Sequence, residues 1–322
     1  MSSLAISLLD LEPDARVCLE ADDYQKRPGK WCSGCGDFGA MNAVKRLLAK
    51  EQLQPERTVF VSGIGCSSRF PHYVNAYGFH GIHGRALPLA TGVKLARPEL
   101  DVFVTMGDGD CTSIGAGHWI HATRYNANMV VLMLDNNIYG LTKNQTSPTT
   151  PQGYASMTSP KGAHLPALDP LQATLGVSNA SFVAQTADWV PAHLYATMQA
   201  AYDHPGFSFV RILQRCPKFT PDVFQKNVEN PDTTELLVHE NGVDVPAFIE
   251  FDKDGTSFDA EAAQIAAAGV DAISLIPFAE GAAFTQALIE AGVGPADVQL
   301  YVAAVILYQQ ESTPVTREPS TY

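Results

Sequence analysis

The fold is read most directly from VFVTMGDGDCTSIGAG, residues 102–117, taken with MVVLMLDNNIYGLTKNQTSPT, residues 129–149. In both, an apolar run stops abruptly at a polar turn, and a segment with helical spacing separates the two. Two further runs are TVFVSG at 58–63 and FSFVRIL at 207–213. Apolar runs this short, without strict alternation, suit strands buried on both faces of a parallel sheet. Helical spacing predicts helices in GAMNAVKRLLAKE (39–51), ALPLATGVKLAR (86–97), SIGAGHWIHATRYN (113–126) and ADWVPAHLYATMQAAYDH (187–204). Strands alternating with helices predict an α/β, doubly wound, mainly parallel sheet.

In such sheets ligands collect beyond the carboxyl ends of the strands. The loops that carry chemistry follow that rule: SGIGCSSRFPH, GDGDC, DNNIYGLTKNQ and LQRCPKF each succeed an apolar run. All four are expected on one edge of the sheet. The polar, Pro-rich stretch 145–169 is expected to be a surface loop or lid over that edge. After Cys216 the regularity weakens; GVDVPAFIEFDKDG (242–255) predicts a strand and hairpin, and EGAAFTQALIEAG (280–292) a helix closed by Gly292.

The 322 residues, 46% hydrophobic with six cysteines, fit one large α/β domain with an appendage. The formal net charge of −13 argues against nucleic acid. Its excess is local: residues 1–216 carry 17 Lys and Arg against 17 Asp and Glu, and residues 217–322 carry 4 against 17. That shift marks a boundary near Cys216, with a solvated acidic face beyond it. The organisation read here is an N-terminal segment (1–30), a binding domain (31–217) and an acidic C-terminal extension (218–322). No membrane span is present, and Asp10, Glu12 and Asp14 follow the short apolar start without a basic region, so a cytoplasmic location is expected.

Asp108 offers a charged oxygen between Gly107 and Gly109, where backbone can approach an anion closely. A helix and a strand fill the 26 residues between Gly109 and Asn136, which returns an amide oxygen to the same edge. A diphosphate with a hard divalent cation would use such oxygen ligands. Cys32 and Cys35 form a C-x-x-C clip, and Cys66 and Cys216 sit in two other strand-edge loops. Four such thiols can close one metal site, structural zinc or an iron-sulfur cluster; spacing alone leaves both open. Cys18 and Cys111 are left over, the latter as a small buried residue at a helix start.

GDG followed by about 26 residues and NN resembles the thiamine diphosphate motif. That motif is found across decarboxylases, transketolases and 2-oxoacid oxidoreductases. By that resemblance Asp108, Asn136 and the carbonyl of Ile138 bind Mg2+. Six stretches in order then resemble β subunits of 2-oxoacid:ferredoxin oxidoreductases, over roughly residues 31–217: WCSGCGDFGAMNA, SGIGCSSRFPHY, HGRALPLATGVKLARPEL, GDGDCTSIGAGHWIHATRYN, DNNIYGLTKNQTSPT and QRCP. The resemblance implies that Cys32, Cys35, Cys66 and Cys216 hold one 4Fe-4S cluster beside thiamine diphosphate. Around that cofactor it places Gly65, Cys66, Ser67 and His83, then Gly107, Asp108, Gly109 and Asp110, then Asn136, Ile138, Gly140, Leu141 and Thr142.

The implied chemistry is decarboxylation of a 2-oxoacid on thiamine, with the electrons leaving singly through the cluster to ferredoxin and the acyl group passing to coenzyme A, or the reverse carboxylation. Arg69 is a candidate anchor for the substrate carboxylate, and His72 for a hydrogen bond or proton transfer. Lys143 would favour a dicarboxylate and so 2-oxoglutarate over pyruvate, with succinyl-CoA as product. His118 and His121, three apart on a predicted helix, lack a third ligand and read as structural. The carboxylate that thiamine needs against its aminopyrimidine has no obvious source before Cys216. In the family it comes from the α subunit, so an αβ pair, doubled, is the expected unit. The alternatives are a pyruvate or other 2-oxoacid relative, a zinc-stabilised non-catalytic binding module, and an electron carrier without thiamine.

Overall fold

The computed structural model describes residues 18–230, and beyond them the backbone of three strands at 234–238, 249–250 and 272–276. A parallel sheet of six strands forms the centre: β1 (Thr58–Ser62), β2 (Tyr77–His80), β3 (Asp101–Gly107), β4 (Met129–Asp135), β7 (Phe182–Ala187) and β8 (Phe207–Leu213), in the order β2-β1-β3-β4-β8-β7. The two-residue strands β5 (Ile138–Tyr139) and β6 (Gln145–Thr146) make a small antiparallel pair beside it. The four predicted runs are β1, β3, β4 and β8, and they are consecutive in the sheet.

Their lack of alternation follows from their position. On one face Phe60, Phe103, Leu132 and Val210 pack with Val44, Leu47 and Leu48 of α1 (Asp37–Lys50) and Leu194 and Met198 of α6 (Pro191–Asp203). On the other, Val61, Val104, Val131 and Phe209 pack with Leu87 and Ala90 of α3 (Ala86–Ala96) and Trp119 and Ala122 of α4 (Ala116–Tyr125). Successive side chains of a strand point to opposite faces, and here both faces are core. Phe103 stacks on Phe60, with centroids 5.1 Å apart, and on Tyr202 at 6.0 Å.

Several elements depart from expectation. Strand β2 is exposed along its length and carries Gly78 and His80, so it gives no apolar signal. Strand β7 reads FVAQTA and lacks a β-branched run, and it takes Ala187 from the start of the predicted helix. α4 begins at Ala116 because residues Asp110–Ile114 form a π-helical turn. The stretch 145–169 is largely irregular, as expected, and its last residue, Asp169, caps α5 (Pro170–Leu175) through Leu171 N at 2.8 Å.

Of the later expectations, Ile249–Glu250 is a strand within 242–255, paired parallel to Thr234–Val238, and the hairpin expected there lies outside the described residues. The predicted helix at 280–292 lies outside the described residues. Among the described residues no helix is long and apolar enough to cross a membrane.

Because Phe103 is fully buried between two aromatic rings, Phe103→Ala is expected to cost about 3–5 kcal/mol. Denaturant unfolding checks this, and a loss below about 1 kcal/mol would mean that the sheet repacks around the void.

Candidate functional site

All six strands run the same way, so Ser62, Gly107, Asp135 and Leu213 end on one edge. The four chemistry-bearing loops leave from there. Between them lies a cavity of about 440 Å³, a size suited to a small organic cofactor. Its wall contains Gly65, Cys66, Ser67 and His83; Gly107, Asp108, Gly109 and Asp110; and Asn136, Ile138, Gly140, Leu141 and Thr142. Every residue set around a cofactor in the sequence reading therefore borders one space. Ile64, Leu134, Tyr139, Gln145 and Gln214 border it too and were not foreseen, although all five stand inside quoted stretches.

Asp108 is 2% exposed. Its Oδ2 accepts hydrogen bonds from Ser147 Oγ at 2.5 Å and Thr149 Oγ1 at 2.9 Å. Burial pushes its carboxyl up to about 7, the nearby Asp135 adds to the rise, and the two hydroxyls oppose it. Asp135 is itself fully buried and is neutralised by Arg211, whose Nε and Nη2 lie 2.7 and 2.6 Å from Oδ2. Asn136 Oδ1 accepts from Ile138 N at 3.2 Å. The cavity thus holds a desolvated carboxylate, an amide and a backbone turn at one end. That donor set fits a hard divalent cation, which would restore the charge that burial suppresses.

Asp110 ties the walls together. Its Oδ1 accepts from Gly84 N at 2.6 Å and Ile64 N at 3.3 Å. A Cβ at Gly63 would stand 2.1 Å from its Oδ2, so only glycine fits the end of β1. His83 Nδ1 lies 2.9 Å from Asp110 Oδ1 and 3.1 Å from the Ile64 carbonyl. Both are acceptors, so Nδ1 carries the proton. The bond to Asp110 raises the His83 pKa above its ordinary 6.5, partial burial opposing it.

The four thiols stand behind Cys66. Trp31 Nε1 donates to the Cys66 carbonyl at 2.7 Å, which brings the C-x-x-C segment against the loop after β1. Gly36 N donates to the Arg215 carbonyl at 3.1 Å and joins the same segment to the end of β8. Thr220, bridged to Cys216, donates through Oγ1 to the Asn136 carbonyl at 2.9 Å. Burial pushes the Cys66 thiol up to about 12, with Asp37, Cys216 and Cys32 adding to the rise. Cys35 is raised further by burial and then by Asp37, with Cys66 contributing. Cys66 is therefore coupled to each of the other three sulfurs, and burial favours the protonated form of Cys35 and Cys66, so a metal bound there would displace their protons. Among the described residues no three His, Cys, Asp or Glu side chains gather closely enough to chelate a single ion. Cys18 is exposed and Cys111 buried.

One position joins the thiols to the cavity. A Cβ on Gly140 would lie 3.7 Å from both Cys66 Sγ and Asn136 Nδ2. The remaining candidates stand outside the cavity wall. Arg69 donates to the Lys30 carbonyl at 3.1 Å and lies over the Tyr73 ring. The His72 ring packs 4.8 Å from His80, and burial, then His80, lowers its pKa. Lys143 is exposed, in a left-handed conformation with φ 76° just beyond Thr142. Among the described residues no glutamate lines the cavity.

Removing the cation from the Asp135 pair should be costly. Arg211→Met leaves a buried carboxylate uncompensated and is expected to lose about 3–5 kcal/mol in chemical denaturation. The His83–Asp110 pair stabilises the fold fully below the ordinary histidine value of 6.5 and loses that contribution as pH rises through the raised folded value. The difference in Tm between the wild type and His83→Leu should therefore be largest near about pH 6 and shrink toward about pH 9. A pH-independent difference would mean that the ring acts by packing.

Residues 63–212 match the family described as thiamine pyrophosphate enzyme, C-terminal TPP binding domain. The chain is 46% identical over 195 residues to the 2-oxoglutarate oxidoreductase subunit KorB of Mycobacterium tuberculosis, covering 61% of this chain and 52% of that one. It therefore spans about half the length of that relative. With the 2-oxoacid:ferredoxin oxidoreductase subunit beta of a Sulfolobus species it shares 39% identity over 209 residues, 63% of this chain and 68% of the relative. A solved structure of 2-oxoglutarate:ferredoxin oxidoreductase from Magnetococcus marinus, with 2-oxoglutarate, coenzyme A and succinyl-CoA bound, superposes with a TM-score of 0.65 at 37% identity. The superposition covers 76% of this chain and 79% of that one.

Proposed function

From the premise that the chain belongs to the β subunits of the 2-oxoacid:ferredoxin oxidoreductases, we propose that it serves oxidative decarboxylation of 2-oxoglutarate to succinyl-CoA and CO2, or the reverse carboxylation. In this reading residues 31–217 form the binding domain. The cavity holds thiamine diphosphate, with Mg2+ on Asp108, Asn136 and the Ile138 carbonyl. Cys32, Cys35, Cys66 and Cys216 hold one 4Fe-4S cluster. When bound, thiamine supplies the electron sink for decarboxylation and the cluster a one-electron route outward.

The chain's own residues bind and orient. Asp108, held by Ser147 and Thr149, presents its carboxylate to the cation, and Asp110 fixes His83 by accepting from its protonated Nδ1. Lys143 follows Leu141 and Thr142, which line the cavity, and meets the distal carboxylate of a dicarboxylic substrate. Arg69 anchors the near carboxylate by exchanging the Lys30 carbonyl for it. Coenzyme A takes the acyl group and two ferredoxins each take one electron.

The observation that carries this reading is that Cys66 and Asn136 line one cavity, with Gly140 next to both. The subunit-beta names of its relatives support an α subunit that supplies the carboxylate for thiamine, in an (αβ)2 unit. The exposed apolar side chains of Tyr77, Phe79 and Ile82, adjoining His83, are a surface for that subunit to cover.

The αβ complex purified without oxygen should be brown, with about four irons per β chain and bound thiamine diphosphate. A colourless, zinc-loaded complex would overturn the reading. Asp108→Ala should abolish thiamine binding while the iron remains. Lys143→Ala should lower the preference for 2-oxoglutarate over pyruvate by about fivefold, the upper end of what an exposed ion pair supplies; an unchanged preference removes Lys143 from specificity.

A further inference from the structure

Gln214 is the residue that touches both halves of the site. It follows the last residue of β8, is 1% exposed, and borders the cavity. Its amide nitrogen donates to Cys35 Sγ at 3.2 Å and to the Arg215 carbonyl at 2.5 Å. Its backbone N–H donates to the Asp135 carbonyl at 2.9 Å, which fixes the residue to the strand end beside the Asp135–Arg211 pair. A Cβ at Gly36 would stand 2.9 Å from its Cγ, so the side chain is packed against the C-x-x-C turn and has little freedom to swing away.

The other polar partner of Cys35 is Asp37, whose Oδ2 accepts from the thiol at 3.3 Å. That bond needs the thiol proton and is lost once Cys35 becomes a metal thiolate. Asp37 then faces the sulfur with an oxygen, while Gln214 still faces it with an N–H. A donor at a thiolate sulfur draws off electron density and stabilises the more negative, reduced cluster, and hydrogen bonds to sulfur are among the factors that set cluster potentials.

Resting on the cluster reading above, we propose that Gln214 is a positioning and tuning residue. From the wall of the cofactor cavity its amide holds Cys35 and keeps the reduction potential of the cluster high enough to accept electrons from that cavity. No residue of the chain is oxidised or reduced in this role. The electron leaves the cofactor side, enters the cluster and passes to ferredoxin, and Gln214 sets the midpoint of the middle station.

The test is an EPR-monitored redox titration of the oxygen-free αβ complex, wild type against Gln214→Met and Gln214→Glu. Met keeps the length without an N–H, and Glu replaces the donor with an oxygen. Both variants should move the cluster midpoint to more negative potential, Glu the further. The signal arises only from assembled clusters, so the midpoint is read on the loaded fraction even where a variant loads less iron. An unmoved midpoint in Gln214→Met overturns the tuning role and leaves the cluster reading intact. A wild-type complex without a cluster signal overturns the reading on which it rests.

Discussion

Two carboxylates, Asp108 and Asp135, are buried at the ends of adjacent strands, and a single hydroxyl stands between them. Thr149 Oγ1 lies 2.9 Å from Asp108 Oδ2 and 2.8 Å from Asp135 Oδ1. A hydroxyl has one proton, so it serves one carboxylate at a time. Asp135 has Arg211; Asp108, among the described residues, has hydroxyl donors but no cation. Desolvation of an unpaired carboxylate is expensive, and the upward shift of Asp108 is its signature. The imbalance gives the cavity its chemical direction, since the partner that suits Asp108 is a positive charge held in the cavity it lines.

The rest of the site is arranged around that imbalance. The Arg211 pair occupies Asp135 without drawing on the cation that Asp108 needs, and Asn137 N donates to Asp135 Oδ1 at 3.1 Å to hold the turn that carries Asn136. Ser147 and Thr149 come from the irregular stretch after β6, so that stretch is fastened to the cavity floor by the carboxylate itself. Asp110, one turn further on, takes backbone donors from the two neighbouring loops. One acid is thus left for a ligand, one is neutralised by an arginine, and one is used to tie loops together.

How much of this the sequence displays depends on whether the cause is local. The four central strands were legible because burial on both faces writes an uninterrupted apolar run, and the cavity followed because parallel strands send their loops to one edge. Strands β2 and β7 were not, since an exposed edge needs no apolar run and β7 is held by its pairing to β8. Arg211 within FSFVRIL gave no hint of Asp135. Their meeting depends on the register of β4 and β8, in which Met133 faces Arg211 and Asp135 faces Leu213. Ser147, Thr149 and Gln214 were hidden for the same reason: each acts on a residue far away in the chain, and no spacing rule links them.

The thinness of the wall at Gly140 has an electrical meaning. A Cβ there would make ordinary contacts with Cys66, Asn136 and Phe219, so steric exclusion does not require the glycine. What a side chain would add is apolar volume beside the sulfur at the edge of the cavity. Separation is what an electron route tolerates least, and Cys66 already borders the cavity directly. The backbone at Gly140 and the amide of Gln214 are then the two pieces of protein that adjoin both compartments. One keeps them close, the other acts on the sulfur that receives the charge, and both sit on loops whose places are set by the parallel ends of β4 and β8.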